Sequence, residues 1–161
     1  MKLPRRFGVG PFGILLSAAL FVVVYWVKPY IPLPPLFAGT TVPKVALGAG
    51  VVFSVVMVVW SVRSLPIGER GQGVCTSGAY RYVRHPVYAA FSSIGALGLA
   101  LYFNHPVFLV WIVAVQLLWH WLVQFEEQMM VVEFGEEYVR YMEHTGRFLP
   151  RLGSWDRNRE R

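Results

Sequence analysis

Cysteine is almost absent from this sequence: Cys75 is the only one among 161 residues. A single cysteine excludes an intramolecular disulfide and leaves no set of thiolates that could hold zinc. Charge is absent from the four long apolar runs, which contain no Asp, Glu, Lys or Arg. Proton-coupled transporters and ion channels usually place an ionisable or polar group at membrane depth, so this absence disfavours transport. The one histidine in these runs, His120, is predicted to make a structural hydrogen bond.

Apolar residues, in contrast, are abundant, at 55% of the chain, which is above the share in ordinary soluble domains. The formal net charge is +6, but the basic residues cluster at the ends of the apolar runs instead of forming a nucleic-acid-binding patch. In a membrane protein that distribution sets the orientation and favours contact with anionic headgroups. The composition predicts an integral membrane protein whose partners include membrane lipids and no nucleic acid.

Four uncharged stretches predict an all-α fold with about four transmembrane helices. They cover residues 12–27, 45–62, 86–103 and 107–125. The first stretch is short for a span of about 20 residues and has no small-residue cleavage site, so we expect a retained helix extended through the interface. The chain, 1–161, is predicted to be a single membrane domain. Its parts are two helices in 1–62, a region with two further helices in 63–150, and a basic tail in 151–161.

The character of the chain changes after Phe125, where Glu126 and Glu127 begin a stretch of mixed charge. Apolar side chains recur in it at three- and four-residue spacing: Met130, Phe134, Tyr138, Tyr141 and Met142. This spacing predicts an amphipathic C-terminal helix on the cytosolic side. The helix would lie along the membrane surface or pack on the loop at 63–85.

Basic residues divide unequally between the predicted loops, and this sets the orientation. Of the fifteen Lys and Arg residues, all but Lys28 and Lys44 fall in the two termini, the loop at 63–85 and the C-terminal segment. Lys28 and Lys44 flank the loop between the first two helices. Both termini and the loop at 63–85 are therefore predicted to be cytosolic.

Two polar clusters at the predicted cytosolic ends of the third and fourth helices are the candidates for chemistry. One is the segment 75–88, rich in tyrosine and arginine, and the other is the pair Glu126 and Glu127. Because the short turn at 104–106 makes the two helices antiparallel neighbours, the start of the third helix is expected to lie close to the glutamates. Carboxylates beside the free N–H groups of a helix start offer acceptors and donors, which suits a zwitterionic, hydroxyl-rich ligand.

Four short motifs follow one another in the C-terminal half of the chain. They are Arg84-His85-Pro86-Val87-Tyr88, then Glu126-Glu127, then Phe134-Gly135-Glu136-Glu137-Tyr138 with Tyr141, and finally Arg147-Phe148-Leu149-Pro150. In this order and at this spacing they resemble the membrane methyltransferase superfamily, which contains isoprenylcysteine carboxyl methyltransferases and phosphatidylethanolamine N-methyltransferases. The resemblance covers roughly 72–150, whereas 1–60 match only as helices.

The resemblance implies an S-adenosylmethionine-dependent methyltransferase whose cofactor-binding region is 63–150. Carried over position by position, the cofactor pocket would be lined by Gln72, Val74, Cys75, Tyr80, His85, Pro86, Val87, Tyr88, Glu126 and Glu127. A carboxylate can accept hydrogen bonds from ribose hydroxyls or an amino group, and a tyrosine face attracts a sulfonium by about 0.5 to 2 kcal/mol. The methyl acceptor would be a lipidic or small hydrophobic molecule that enters from the bilayer.

Two positions depart from the pattern of the superfamily. Many relatives have glycine where this chain has Ala90, and eukaryotic carboxyl methyltransferases have an arginine where it has Leu122. A substrate carboxylate would then need another partner, for which Arg147 is the candidate. Contact with a lipid headgroup is an equal alternative for Arg147.

Three functions are compatible with the sequence. The chain most resembles isoprenylcysteine carboxyl methyltransferases; the alternatives are a phospholipid N-methyltransferase, and a non-enzymatic membrane subunit or small transporter. A carboxylate is ionised above about pH 5, whereas a primary amine with a pKa near about 10 must first lose a proton. Because no general base is evident apart from His85 and the glutamates, we expect ester formation with a nearly flat pH profile from about pH 6 to 8.5.

Overall fold

The computed structural model describes residues 8–66 and 72–151, and these ranges fold mainly into helices. The five helices are α1, Gly10–Val27; α2, Thr41–Ser64; α3, Pro86–Tyr102; α4, Val107–Phe134; and α5, Glu136–His144. Short 3-10 helices follow α1 and precede α3, at Lys28–Tyr30 and Gly78–Arg81. Within the described ranges β structure is limited to an isolated bridge between Val83 and Gly146. The predicted all-helical class is confirmed.

Three helices are long and apolar enough to cross a membrane: α1 with its 3-10 extension to Tyr30, α2 and α4. The fourth predicted span, α3, is apolar but shorter. At 1.5 Å per residue it reaches only about 25 Å, against a hydrocarbon core of about 30 Å. The described residues therefore show three helices long enough to span and one apolar helix that is shorter.

The helices pack in a row in which α1 contacts α4, α4 contacts α3, and α3 contacts α2. The turn between α3 and α4 contains Asn104, whose φ of 51° is in the left-handed region that Asn tolerates better than most residues. Its side-chain oxygen accepts a hydrogen bond from the Phe37 N–H at 2.8 Å. The His105 ring lies 3.2 Å from the Ile31 carbonyl. The loop after α1 is thus held against this turn, and the predicted antiparallel pairing of α3 with α4 is present.

Small residues let α2 and α3 cross closely. A Cβ added to Gly50 would lie 3.1 Å from the Gly98 Cα, and one added to Gly98 would lie 2.7 Å from the Ala46 carbonyl. Close backbone approach at small residues is a common way for helices to associate in membranes, because it maximises van der Waals contact. Substitution of either glycine by a larger residue would separate the two helices.

A π-helical segment, Ala90–Gly95, interrupts α3. Such segments leave carbonyl groups without their usual helical partner. Here Ser54 of α2 donates to the Ala90 carbonyl at 2.8 Å, and Gln116 of α4 donates to the Ser92 carbonyl at 2.5 Å. The neighbouring helices therefore stabilise a distortion one turn beyond the start of α3, where an uninterrupted helix was predicted.

The fourth helix is longer than predicted, and the C-terminal helix is shorter. Helix α4 continues past Phe125 to Phe134 because glutamate, glutamine and methionine are good helix formers, although the apolar run has ended. It ends at Gly135, whose φ of 58° few other residues adopt. Met130 and Phe134 therefore belong to α4, and the predicted continuous amphipathic helix from Met130 to Met142 is wrong.

Tryptophans of α4 fix α1 against it. Trp119 is 1% exposed, and its indole N–H donates to the Ser17 hydroxyl at 3.0 Å. The Trp111 indole N–H donates to the Ser17 carbonyl at 3.3 Å. A Cβ added to Gly13 would lie 2.8 Å from the Trp119 ring, so the glycine makes room for it. These contacts set the position of the N-terminal half of α1.

Several features on which the predicted orientation depends lie outside the described residues. They include Lys2, Arg5, Arg6, Arg70 and the basic tail beyond Arg151. The cytosolic position of both termini therefore stays a prediction.

Candidate active site

Polar and charged side chains from four segments meet at one end of the helix row. We call them the site cluster: Arg84, His85, Tyr88, Glu126, Glu127 and Arg147. His85 precedes Pro86, which occupies the first turn of α3, where a missing N–H costs nothing. The glutamates lie on α4, and Arg147 follows α5. The antiparallel pairing of α3 and α4 brings the two predicted polar clusters together.

Glu127 is the centre of the site cluster and is 5% exposed. Arg84 Nε donates to its Oε1 at 2.8 Å, and Arg147 Nη2 donates to its Oε2 at 2.5 Å. Arg147 Nε donates to Oε1 at 3.3 Å, and the His85 ring Nε2 lies 3.3 Å from the same oxygen. Both carboxylate oxygens are thus bound by guanidinium groups, which offsets the cost of burying the charge.

Arg84 also holds the end of α5 and the segment that follows it. Its Nη1 donates to the Met142 carbonyl at 2.9 Å and to the Thr145 carbonyl at 2.5 Å. Its backbone N–H donates to the Gly146 carbonyl at 2.8 Å, next to the isolated bridge. Arg84 therefore links the start of α3, the end of α5 and Glu127.

The buried tyrosines of α5 connect this helix to the loop before α3. The Tyr141 hydroxyl donates to the Tyr80 carbonyl at 2.5 Å, so α5 packs on the loop at 63–85, one of the two predicted positions. Burial raises the pKa of Tyr141 above its usual value. Burial also raises the pKa of Tyr138, and the nearby negative charge of Glu127 adds to the effect. Both hydroxyls stay protonated at neutral pH.

Glu126 has a different environment from Glu127. Its Oε2 accepts hydrogen bonds from the Val9 N–H at 3.1 Å and the Tyr88 hydroxyl at 3.0 Å. Its Oε1 lies 4.0 Å from the His85 Nδ1 and accepts no hydrogen bond from the residues that the structure describes, and the side chain is 21% exposed. Glu126 is therefore oriented by two donors while one oxygen can accept a hydrogen bond from a ligand.

Aromatic rings form one wall of the site cluster. The His85 and Tyr88 rings are stacked with centroids 5.5 Å apart, and Tyr88 lies 4.9 Å from the Trp119 ring. Phe148 lies 6.2 Å from His85 and 4.8 Å from His120. His120 Nδ1 is 2.8 Å from the Gln116 carbonyl, which is the structural hydrogen bond expected for it.

The remaining residues predicted to line the cofactor pocket lie around or beside the cluster. Pro86 is buried and Val87 is partly buried in the first turn of α3, and Tyr80 is partly buried in the preceding 3-10 helix. Gln72 is exposed, and Val74 is partly buried, in the loop before that 3-10 helix.

Cys75, which is also predicted to line the cofactor pocket, lies near the end of α2. Its sulfur is 3.5 Å from the Ser64 carbonyl and 3.8 Å from the Ser77 hydroxyl. None of the contacts described for Cys75 reaches Glu126 or Glu127.

Arg147, predicted to face a substrate carboxylate or a lipid headgroup, is bound to Glu127 instead. Its Nη1 donates to the His120 carbonyl at 3.3 Å, so each of its three nitrogens makes a hydrogen bond within the protein. Leu122, which stands where carboxyl methyltransferases have an arginine, is 3% exposed in the apolar core. Ala90, where relatives have glycine, is fully buried in the π-helical segment.

Arg84 and the start of α1 contribute to the site, but they are not among the residues that the motifs predict for the cofactor pocket. The opposite charges of Arg84 and Glu127 were a signal, because the helix pairing was predicted to bring them together. The start of α1 carried no such signal, since the contact of Val9 with Glu126 uses a backbone N–H. A Cβ added to Gly8 would lie 2.6 Å from Glu126 Oε2, so a larger residue at this position would displace the carboxylate.

A protein-family model matches more than half of the chain. A model of the phospholipid methyltransferase family matches residues 43–137. The chain belongs to the phospholipid methyltransferase family. The matched range contains α3, α4, all of α2 except its first two residues, and the five members of the site cluster up to Glu127, whereas Arg147 follows it. Comparison with curated proteins and with solved structures gives no match.

The match to the phospholipid methyltransferase family confirms the resemblance that the motifs indicated. It begins at Pro43, inside α2, and therefore includes nearly all of this helix, which the motifs did not cover. The protein is a membrane methyltransferase by family, and three of its helices are apolar and long enough to span a membrane.

Proposed function

We propose that the protein is an S-adenosylmethionine-dependent methyltransferase that methylates the amine of a phospholipid headgroup at the membrane–cytosol interface. The observation that carries this proposal is the site cluster, in which motif residues of a phospholipid methyltransferase family meet around two glutamates. The distribution of basic residues supports a cytosolic position for this end of the protein.

The side chains of the site cluster have the chemistry that S-adenosylmethionine requires. Glu126 presents a partly exposed carboxylate oxygen, which can accept a hydrogen bond from a hydroxyl or an amino group. The rings of His85 and Tyr88 supply an aromatic wall near it, and aromatic rings attract cations. When bound, the cofactor supplies a methyl group on a sulfonium for in-line displacement, which needs alignment more than acid–base catalysis.

The proposed pocket keeps all the residues that the resemblance implied, but the two glutamates take different roles in it. Glu126 contacts the ligand directly. Glu127 is a positioning residue, because both of its oxygens are held by Arg84 and Arg147 and it fixes the segment 142–147 against the start of α3. Gln72, Val74 and Cys75 would complete the pocket from the loop.

The hydrogen bonds of Arg147 favour an amine over a carboxylate as the methyl acceptor. Arg147, the residue expected to pair with a carboxylate acceptor, is bound to Glu127, and Leu122 is apolar. A neutral amine needs no such partner. We therefore prefer the phospholipid N-methyltransferase alternative, which also fits the matched family, and keep carboxyl methylation of a prenylcysteine-like acceptor as the second candidate.

Methyl transfer to vesicles tests this proposal. The purified protein is given methyl-labelled S-adenosylmethionine with phosphatidylethanolamine vesicles, and in parallel with a prenylcysteine acceptor, from pH 6 to 8.5. We expect label in the phospholipid. Below saturation with cofactor and acceptor, the rate of labelling should rise about tenfold per pH unit, because an unassisted primary amine is mostly protonated in this pH range. Label in an ester, with a flat profile, would reject the amine and support the carboxyl acceptor.

A further inference from the structure

An open depression of about 530 Å³ lies beside the site cluster. It shares Arg84 and Arg147 with the cluster, but it opens on the side formed by the chain after α5. Its lining is Arg84, Met142, Thr145, Gly146, Arg147, Leu149, Pro150 and Arg151. The methyltransferase proposal assigns this depression no role.

The lining of the depression is strongly cationic. It contains three arginines and no acidic residue. Glu127, which binds Arg84 and Arg147 from the other side, offsets one of these charges. The remaining positive charge favours an anion, and guanidinium groups are especially suited to the oxygens of a phosphate because their donors form a planar fork.

Hydrogen-bond donors remain in the lining after the contacts within the protein are counted. Arg84 uses Nε and Nη1, and Arg151 uses Nη1 to bind the Glu143 carbonyl. In the part of the chain that the structure describes, no hydrogen bond is made by Nη2 of either arginine. A guanidinium carries five N–H donors, so both side chains can still bind an anion.

Thr145 supplies a second, independent indication of a ligand. The residue is 1% exposed, and its hydroxyl oxygen has no hydrogen-bond partner among residues 8–66 and 72–151. A buried hydroxyl without a partner costs free energy, and such groups usually have a partner in the functional state of a protein. Because Thr145 belongs to the lining of the depression, an anion bound there is one candidate for this partner.

We propose that this depression binds the phosphodiester of a phospholipid headgroup and so holds the acceptor beside the site cluster. The inference rests on the proposed function. In an ethanolamine headgroup only two carbons separate the phosphate from the amine, so the phosphate must be held next to the place where the methyl group is transferred. Leu149, which is 70% exposed on the lining, gives the depression an apolar edge next to the arginines.

Direct lipid binding tests the inference without any methyl transfer. The purified protein in detergent is titrated with dihexanoyl-phosphatidylethanolamine and with dihexanoylglycerol, which lacks the phosphodiester. The variants are Arg151→Gln and Thr145→Val, neither of which removes a partner of Glu127. The matched control is Arg81→Gln, which removes an exposed arginine that is not part of the lining. Binding of S-adenosylmethionine is measured on every variant.

We expect the wild-type protein to bind dihexanoyl-phosphatidylethanolamine more tightly than dihexanoylglycerol. Arg151→Gln should raise the phospholipid dissociation constant about tenfold, the effect of one charge-assisted hydrogen bond. Thr145→Val should raise it by a smaller factor, and Arg81→Gln should leave it unchanged. Cofactor binding should be unaltered in all three variants.

Three results would overturn the inference. The first is equal phospholipid binding by Arg151→Gln, Thr145→Val and the wild type. The second is a loss of cofactor binding in place of lipid binding, which would assign the depression to the carboxylate of the cofactor. The third is displacement of the phospholipid by inorganic phosphate at an equal concentration, which would identify a site for free phosphate. Because no methyl transfer is measured, a failure of the proposed catalytic function would leave these outcomes readable.

Discussion

Replacement of Glu127 by glutamine should lower the stability of the folded protein even when no ligand is bound. Glutamine has nearly the same shape, but it removes the negative charge that faces Arg84 and Arg147, whose side chains are 10% and 23% exposed. Removing one partner of a buried ion pair costs about 3 to 5 kcal/mol, because the remaining charge stays desolvated. With about 2 to 4 °C per kcal/mol for a chain of this size, Tm should fall by about 6 to 20 °C.

Thermal unfolding of the purified variants in one detergent measures this effect. Glu126→Gln is the matched control, because an amide oxygen can still accept the hydrogen bonds from the Val9 N–H and the Tyr88 hydroxyl. Its cost should be about 1 kcal/mol, or about 2 to 4 °C. If Glu127→Gln unfolds within 2 °C or so of the wild type, the ion pairs of Glu127 do not hold this end of the protein together, and its assignment as a positioning residue is wrong.

Three further predictions concern the start of α1, the buried tyrosines and the orientation. Gly8→Ala should weaken cofactor binding by displacing Glu126. Gly39→Ala should not weaken it, because Gly39 also has a positive φ but no atom lies within 4 Å of the new Cβ. Equal cofactor binding by the two variants would exclude a role for the start of α1. Burial raises the pKa of Tyr138 and Tyr141 in the folded state, so the unfolded chain loses these protons at a lower pH than the folded protein. The Tm should therefore be constant up to about pH 10 and fall above it. In Tyr141→Phe the fall in Tm should be less steep. In a Cys75→Ser background, cysteines at positions 2 and 159 should label only from the cytosol and one at position 40 only from outside; labelling of 2 and 159 from opposite faces would require an odd number of spans.

The sequence was a good guide to the helices and to the pairing of motifs, for physical reasons that particular residues show. Uncharged runs bounded by Lys28, Arg63 and the turn at Asn104 predict helices in a membrane protein, because the hydrocarbon core excludes charge. The same turn forces α3 and α4 to be neighbours, and this alone brings His85 near Glu127. The helix ends were less accurate, since α4 continues through polar residues until Gly135.

The interactions inside the site cluster were less accessible from the sequence. A motif does not show which of two adjacent glutamates is bound by arginines, because this depends on which face of α4 each one occupies. The sequence does not show that the guanidinium of Arg147 has a partner. In the structure it binds Glu127, because the chain turns back after α5. The contribution of Val9 is a backbone N–H, which no side-chain pattern records.

Binding of labelled S-adenosylmethionine to the purified, folded protein decides the claim that the site cluster holds this cofactor. We expect saturable binding by the wild type, and a dissociation constant about 10- to 150-fold higher in Glu126→Gln, which loses a charge-assisted hydrogen bond worth about 1.5 to 3 kcal/mol. His85→Ala should also weaken binding, because it removes part of the aromatic wall. Absence of saturable binding by a wild-type protein that unfolds cooperatively would contradict the claim, as would wild-type affinity in both variants.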